Sequence, residues 1–419
     1  MLDNSKIIFS KKKNNLDNLD TKNSLLLFKN QNSENFNVVN KKIEKQNIKR
    51  TFKIRNPGID MIRIVGMFAI VIHHILIHGK VIITFRQYPE LKLLNIICFW
   101  HVSSFALISG IVGFKTNKYS NLLYLWLCVL FYTLGIRFIL KKFRPQWVKN
   151  EKLIHALFPV IFSKYWYFTQ YFGLYLLLPP INKGISLLTK TELRLLVAST
   201  LSFYIIWKDA INPKSNVFSM GGGRSILWLL IFYLTGAYIG KYKVDYQRIK
   251  KTFLYFGCVF IFLFSTLLCY KLPQIDMKKI NGYLKRQLLL ILRNLFITRI
   301  NSVPMILQAI SITLFLMQIK YNKYLSKVIT FLGPLTFGIY LFHEHPRIRA
   351  NVIGGLIKGY DKHMLLKSVI RLTMINGIKI FLIGIIIDYL RHLVFTILRI
   401  KKICIFIEKK IYKIISLFN

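Results

Sequence analysis

Five ionisable residues fall within the first apolar stretch of the chain: Asp60, Arg63, His73, His74 and His78. Ionisable groups inside a bilayer are costly, so their presence points to chemistry or to a substrate path. On a helix turning roughly 100° per residue, Arg63 and His74 come within about 20° of one another. His78 lies one turn beyond His74 and Asp60 one turn before Arg63, so these four share a face, while His73 points elsewhere. An imidazole in mid-membrane can take a proton from a hydroxyl and pass it on. An Arg at the cytoplasmic mouth can hold an anionic group, such as a phosphate, through paired hydrogen bonds. Together they suit a donor entering from the cytoplasm and an acceptor arriving from the other face. The residues alone leave an architectural reading equally open, with Asp60 paired to Arg63 and the imidazoles bonded to neighbouring helices. Histidines at i and i+4 can also bind zinc. No carboxylate or Cys joins them in sequence, so no metal is expected.

Other polar residues at membrane level are candidates for the same cavity. His101 and Ser109 lie in the second apolar run, and Trp166 and Gln170 open the fourth. His343, followed by Glu344 and His345, ends the ninth. With Asp60 and His78, the residues His101, Ser109, Trp166, Gln170 and His343 form the expected substrate-binding set around His74 and Arg63. Taken singly, each is more often packing glue or an interfacial anchor. Asp388 and Arg391, three apart in the tenth run, are expected to pair. Gly221, Gly222 and Gly223 before Arg224 read as a flexible turn and do not match a phosphate loop.

The elements that must position these groups are transmembrane helices. The chain is 54% hydrophobic and only 18% charged, against about 25% charged in soluble domains. Its apolar residues cluster in runs near the 20 or so needed to cross a bilayer. Ten such runs are expected, near 61–83, 93–114, 121–140, 165–181, 193–208, 225–241, 252–270, 303–319, 328–344 and 369–395. The fold class is therefore all-α, a polytopic membrane bundle of about ten transmembrane helices. Residues 1–54 read as a disordered basic cytoplasmic tail, 55–395 as the transmembrane domain, and 396–419 as a basic amphipathic segment on the inner leaflet.

The formal net charge is +45, from 61 Lys and Arg against 16 Asp and Glu. No zinc-finger spacing or RNA-binding signature accompanies it, so nucleic acid is not an expected partner. Placing both termini in the cytoplasm puts most basic connectors on the inner side. Lys141, Lys142, Arg144, Lys149, Lys278, Lys279, Lys285 and Arg286 are exceptions. Residues 284–300 carry Arg286, Arg293 and Arg299 and read as an interfacial amphipathic segment. The five cysteines are scattered without a CxxC pair and read as small buried hydrophobes.

The stretch RNPGIDMIRIVGMFAIVIHHILIHG, Arg55–Gly79, resembles the opening of the membrane-bound acyltransferase family 3. It is similar in particular to the branch of Gram-positive bacteria that O-acetylates cell-surface polysaccharides. The family's Arg, ten residues, then His corresponds here to Arg63 and His74, and the second His followed by Gly to His78 and Gly79. FALISGIVGF at Phe105–Phe114, YWYFTQYFGLYLLLPPINKGI at Tyr165–Ile185, LWLLIFYLTGAYIG at Leu227–Gly240 and PLTFGIYLFHEHP at Pro334–Pro346 continue the resemblance in order.

The resemblance implies a ten-helix bundle that moves an acyl group, usually acetyl. The donor would be cytoplasmic acetyl-CoA and the acceptor a sugar hydroxyl of a surface polysaccharide or lipid-linked glycan. The site would be in the plasma membrane, in contact with membrane lipid, and would hold no permanently bound cofactor. His74 would be the base or acyl relay and Arg63 would support the donor. His73 and the charged His343-Glu344-His345 cluster depart from the expected pattern. The alternative is a transporter or flippase of a lipid-linked sugar. Such folds often show repeated halves, and no repeat is visible here.

Overall fold

A computed structural model describes residues 55–113, 118–212, 218–242 and 249–417. The tail 1–54 and its expected disorder lie outside the described residues. Among the described residues the structure is helical, with no strand. The numbered helices are α1 Pro57–His78, α2 Glu90–Cys98, α3 His101–Gly113, α4 Tyr119–Phe143, α5 Trp166–Leu187, α6 Lys190–Leu201 and α7 Ile226–Lys241. They continue with α8 Lys251–Lys271, α9 Tyr283–Leu295, α10 Val303–Gln318, α11 Lys323–Leu332, α12 Thr336–His343, α13 Leu366–Ile397 and α14 Ile400–Ile415. Short helical turns between them are left unnumbered.

Over the described residues each of the ten expected runs falls mainly on helix, and the count of ten spans is not confirmed. Among the described residues six segments are long and apolar enough to cross a membrane: Pro57–His78, Glu90–Gly113, Tyr119–Phe143, Lys251–Gln274, Lys323–His343 and Leu366–Ile397. Helices α7 and α10 are apolar but have 16 residues each, about 24 Å at 1.5 Å per residue against a core of about 30 Å. Helix α9 has 13 residues and buries none of them. At about 20 Å it is too short to span, in keeping with the amphipathic reading of 284–300. The multi-pass membrane character stands, with fewer clear spans than the runs suggested.

Helix α1 is the axis of the molecule. Its start is specified locally: Asn56 caps it by accepting from the Gly58 N–H, and Pro57 occupies the first turn, where its missing N–H costs nothing. It ends at His78, short of the expected residue 83. Gly79 follows, and Lys80 takes a left-handed backbone with φ 60. Helices α2, α3, α10, α11, α12 and α13 all pack against it. By contrast, α8 presents Phe253, Phe256, Phe260 and Leu263 outward. Only 22% of its span is buried, against 56% for α1, so α8 lies at the lipid-facing edge and α1 inside.

Helices α3 and α7 cross in close backbone contact. Gly236 and Gly240 are one turn apart on α7 and meet the backbone of Leu107 and Ile111, while Gly110 meets the backbone of Tyr233. A methyl group at Gly110 or Gly236 would land on the facing carbonyl. In lipid, where apolar surface gains nothing by leaving the solvent, such backbone-to-backbone contact is what draws helices together. This packing holds α3, with His101 at its first residue, against the bundle interior.

Two breaks place polar groups. The second span interrupts at Phe99–Trp100, so His101 begins a new helix rather than sitting inside one. The Lys323–His343 span breaks at Gly333–Leu335, where Pro334 cannot continue the α-helical bond pattern. A side chain at Gly333 would collide with Asp60. The closing end of α12 is set by Pro346, which disfavours helix in the residue before it and leaves His343 and Glu344 at the helix terminus.

Candidate active site

Arg63 and His74 open onto one cavity of about 240 Å³. His101, Ser109, Trp166 and Tyr340 contribute to its wall, as does the broken segment at Gly333 and Pro334. The cavity thus collects four helices around α1. Its other lining groups are chiefly aromatic or aliphatic, among them Phe105, Tyr167, Tyr171 and Phe337.

Asp60 is fully buried and bonds Arg63 Nη1 at 2.6 Å. The Arg63 side chain keeps 30% of its exposure, and this single bond leaves further guanidinium N–H groups for an anion. Asp60 is not among the residues lining the cavity. It acts on the site through Arg63, whose head it holds in place.

The imidazole chain is ordered by one backbone carbonyl. His343 Nδ1 donates to Ile339 O at 2.6 Å, within its own helix turn. That fixes the proton on Nδ1 of a neutral His343 and leaves Nε2 as an acceptor. His74 Nδ1 is 3.0 Å from this Nε2, so His74 carries its proton on Nδ1 and donates it to His343. The unprotonated nitrogen of His74 is therefore Nε2. Carboxylate Oε1 of Glu344 stands 3.1 Å from the same Nδ1, adding negative charge where an imidazolium would form. A base oriented by a second imidazole and backed by a carboxylate can accept a proton from a hydroxyl.

The sequence-predicted residues separate into three groups. Arg63, His74, His101, Ser109 and Trp166 face the cavity. His343 lies behind His74, fully buried, and orders it rather than touching the cavity. His78 and Gln170 are off the cavity wall. His78 instead approaches Glu344, with Nε2 3.9 Å from Oε1. His73 leaves the stripe as expected and bonds Asn95 at 2.7 Å.

Three groups were missed as site members. Glu344, noted only as part of a charged cluster, is 3% exposed and holds Arg349 through Oε2 at 3.1 Å. Arg349 lies in the following turn. Arg224, after the glycine turn, sits over the Trp166 ring at 5.6 Å. The turn is specified by three consecutive positive φ values, 53, 63 and 89, which only glycines adopt readily. An acidic residue between two histidines at the end of an apolar run was the available signal for Glu344.

His74, His78 and Glu344 also form a group whose ligand atoms lie within 4.8 Å of one another. The sequence spacing showed only two of these three.

The family described as "Acyltransferase domain", acyltransferase family 3, matches residues 56–397. The chain belongs to acyltransferase family 3 and is a multi-pass membrane acyltransferase. No curated protein and no solved structure matches it.

Proposed function

We propose that this acyltransferase moves an acetyl group from cytoplasmic acetyl-CoA to a hydroxyl of a cell-surface or lipid-linked polysaccharide. In this reading it works in the plasma membrane with both termini in the cytoplasm, and His74 is the general base. The observation that carries the proposal is that Arg63 and His74 open onto one cavity while His74 Nδ1 is occupied by His343. Nε2 is then the nitrogen that meets substrate.

The acceptor hydroxyl gives its proton to His74 Nε2 as its oxygen attacks the thioester carbonyl. A C–O bond forms and the C–S bond breaks. The proton passes from His74 to the leaving sulfur, so the imidazole returns to its starting state. Glu344, beside Nδ1, stabilises the transient imidazolium. Arg63 is suited to a phosphate of the donor. A cavity of about 240 Å³ is smaller than the roughly 300–1,000 Å³ pockets that enclose whole drug-sized ligands. It takes the acyl end of the donor and leaves the nucleotide outside.

The test uses purified protein in vesicles with labelled acetyl-CoA and a glycan acceptor. Wild-type protein should transfer the label, and His74→Ala should lose transfer by about 10²–10⁴-fold while inserting normally. Undiminished transfer by His74→Ala would remove it as the base. A flippase would move sugar without consuming acetyl-CoA.

A further inference from the structure

One carboxylate oxygen near the site has no aligned hydrogen bond although it is buried. Glu344 is 3% exposed; Oε2 bonds Arg349 at 3.1 Å, while Oε1 accepts no hydrogen bond. Oε1 is turned instead between two imidazole nitrogens, 3.1 Å from His74 Nδ1 and 3.9 Å from His78 Nε2. A buried acceptor without a bond carries a desolvation cost unless something else meets it.

We propose that His74, His78 and Glu344 are a zinc-binding site. The two histidines are one helix turn apart on α1, and α12 brings the carboxylate over them. Zinc takes imidazole nitrogen at about 2.0–2.1 Å and carboxylate oxygen at about 2.0–2.2 Å in a tetrahedral set. Ligand atoms around such an ion stand about 3.3 Å apart. The two distances to Oε1 bracket that value, and all three atoms lie within 4.8 Å. Closing the set draws ligand atoms that already lie within 4.8 Å of one another to the roughly 3.3 Å of a bound ion. Two imidazoles and one carboxylate favour zinc over magnesium or calcium, which select oxygen ligands.

The ion has a way in, because the side chains of His78 and Arg349 are each 37% exposed. Arg349 holds Oε2, so Glu344 ligates through Oε1 alone. The guanidinium also opposes a second cation nearby, which makes the bound zinc exchangeable rather than structural. A fourth coordination position remains for water.

Occupancy has a consequence that rests on His74 acting as the base. Zinc displaces the proton from Nδ1 and breaks the bond to His343. The neutral imidazole then carries its remaining proton on Nε2, where the substrate proton must be received. Zinc binding and general-base action by His74 exclude one another, so the metal is an inhibitor.

The experiment measures zinc uptake by purified full-length wild type, His78→Ala and Glu344→Gln, each checked for folding by thermal melting in zinc-free buffer. Cobalt substitution supplies a visible spectrum that reports a tetrahedral site. Wild type should take up one ion with that spectrum, and each variant should bind at least about tenfold more weakly. If His78→Ala does not fold, His78→Asn serves in its place. Equal uptake by wild type and both variants, or no uptake by wild type, overturns the site. In acyl transfer, zinc should inhibit wild type reversibly on chelation, while His78→Ala keeps the same fraction of its own activity with and without zinc. Zinc that binds through these residues and leaves transfer undiminished supports the metal site and overturns the base assignment of His74.

Discussion

Two helices of this protein carry the same short pattern, Asp-x-x-Arg, and use it in opposite ways. In α13, Asp388 and Arg391 form a double hydrogen bond, Nε to Oδ1 at 2.7 Å and Nη2 to Oδ2 at 2.8 Å. Tyr132 donates to Asp388 at 3.0 Å, and Arg391 Nη1 reaches Tyr124 at 3.0 Å. Both charged groups are buried, at 1% and 5% exposure. In α1, Asp60 is equally buried, but it binds Arg63 through one nitrogen and Arg63 faces a cavity. A closed network spends all its donors on protein and acts as glue between α4 and α13. An open one keeps donors in reserve for a ligand. The spacing of charges does not tell these apart; the neighbouring helices do.

The comparison breaks most readily at its largest effects. His74→Ala, eleven residues beyond Arg63 on the open side, should lower acyl transfer by the 10²–10⁴-fold given above, with an unchanged melting temperature. On the closed side, Asp388→Ala leaves Arg391 buried without its partner and should destabilise the protein by about 3–5 kcal/mol. A detergent melt reads this, and a melt identical to wild type would contradict the closed description. Arg63→Ala should raise the KM for acetyl-CoA more than it lowers kcat, because it removes a binding contact remote from the reacting bond. If Arg63→Ala changes kcat alone, Arg63 does not hold the donor.

A finer test concerns positioning. His343→Gln should lower kcat by about 10²-fold with little change in KM, since it releases the Nδ1 proton of His74 from its fixed partner. A comparable rise in KM would show that His343 touches substrate instead. The smallest effect expected is that of Arg391→Lys. It keeps the charge but loses the two-point bond, so stability should fall by about 1–2 kcal/mol with transfer per folded molecule unchanged.

Part of this site was legible from residue order. The shared face of Asp60, Arg63, His74 and His78 followed from helical phase alone, as did the departure of His73. His101 and Ser109 were found because polar groups in an apolar run have few reasons to be there. Gln170, chosen by the same filter and one turn beyond Trp166 on α5, is not among the groups that line the cavity. Glu344, though noted beside His343, and Arg349 could not be placed against His74 from the sequence. They lie about 270 residues from His74 in the chain, and no local pattern links them. The count of spans was not settled by the runs, because apolar composition marks a helix without setting its length. Helices α7 and α10 end before they reach the length of a full crossing.

What the sequence by itself determined is therefore the all-helical membrane character and the face of α1 that carries Asp60, Arg63, His74 and His78. Hydropathy and a period of 3.6 residues are local properties, readable wherever one helix is regular. Only the tertiary structure decided which nitrogen of His74 is bonded to His343 and which is left unprotonated. That choice is made by Ile339, His343 and Glu344, which reach α1 because Pro334 breaks their span and Gly333 lets Asp60 pass. It depends on distances between helices far apart in the chain, and no periodicity encodes those.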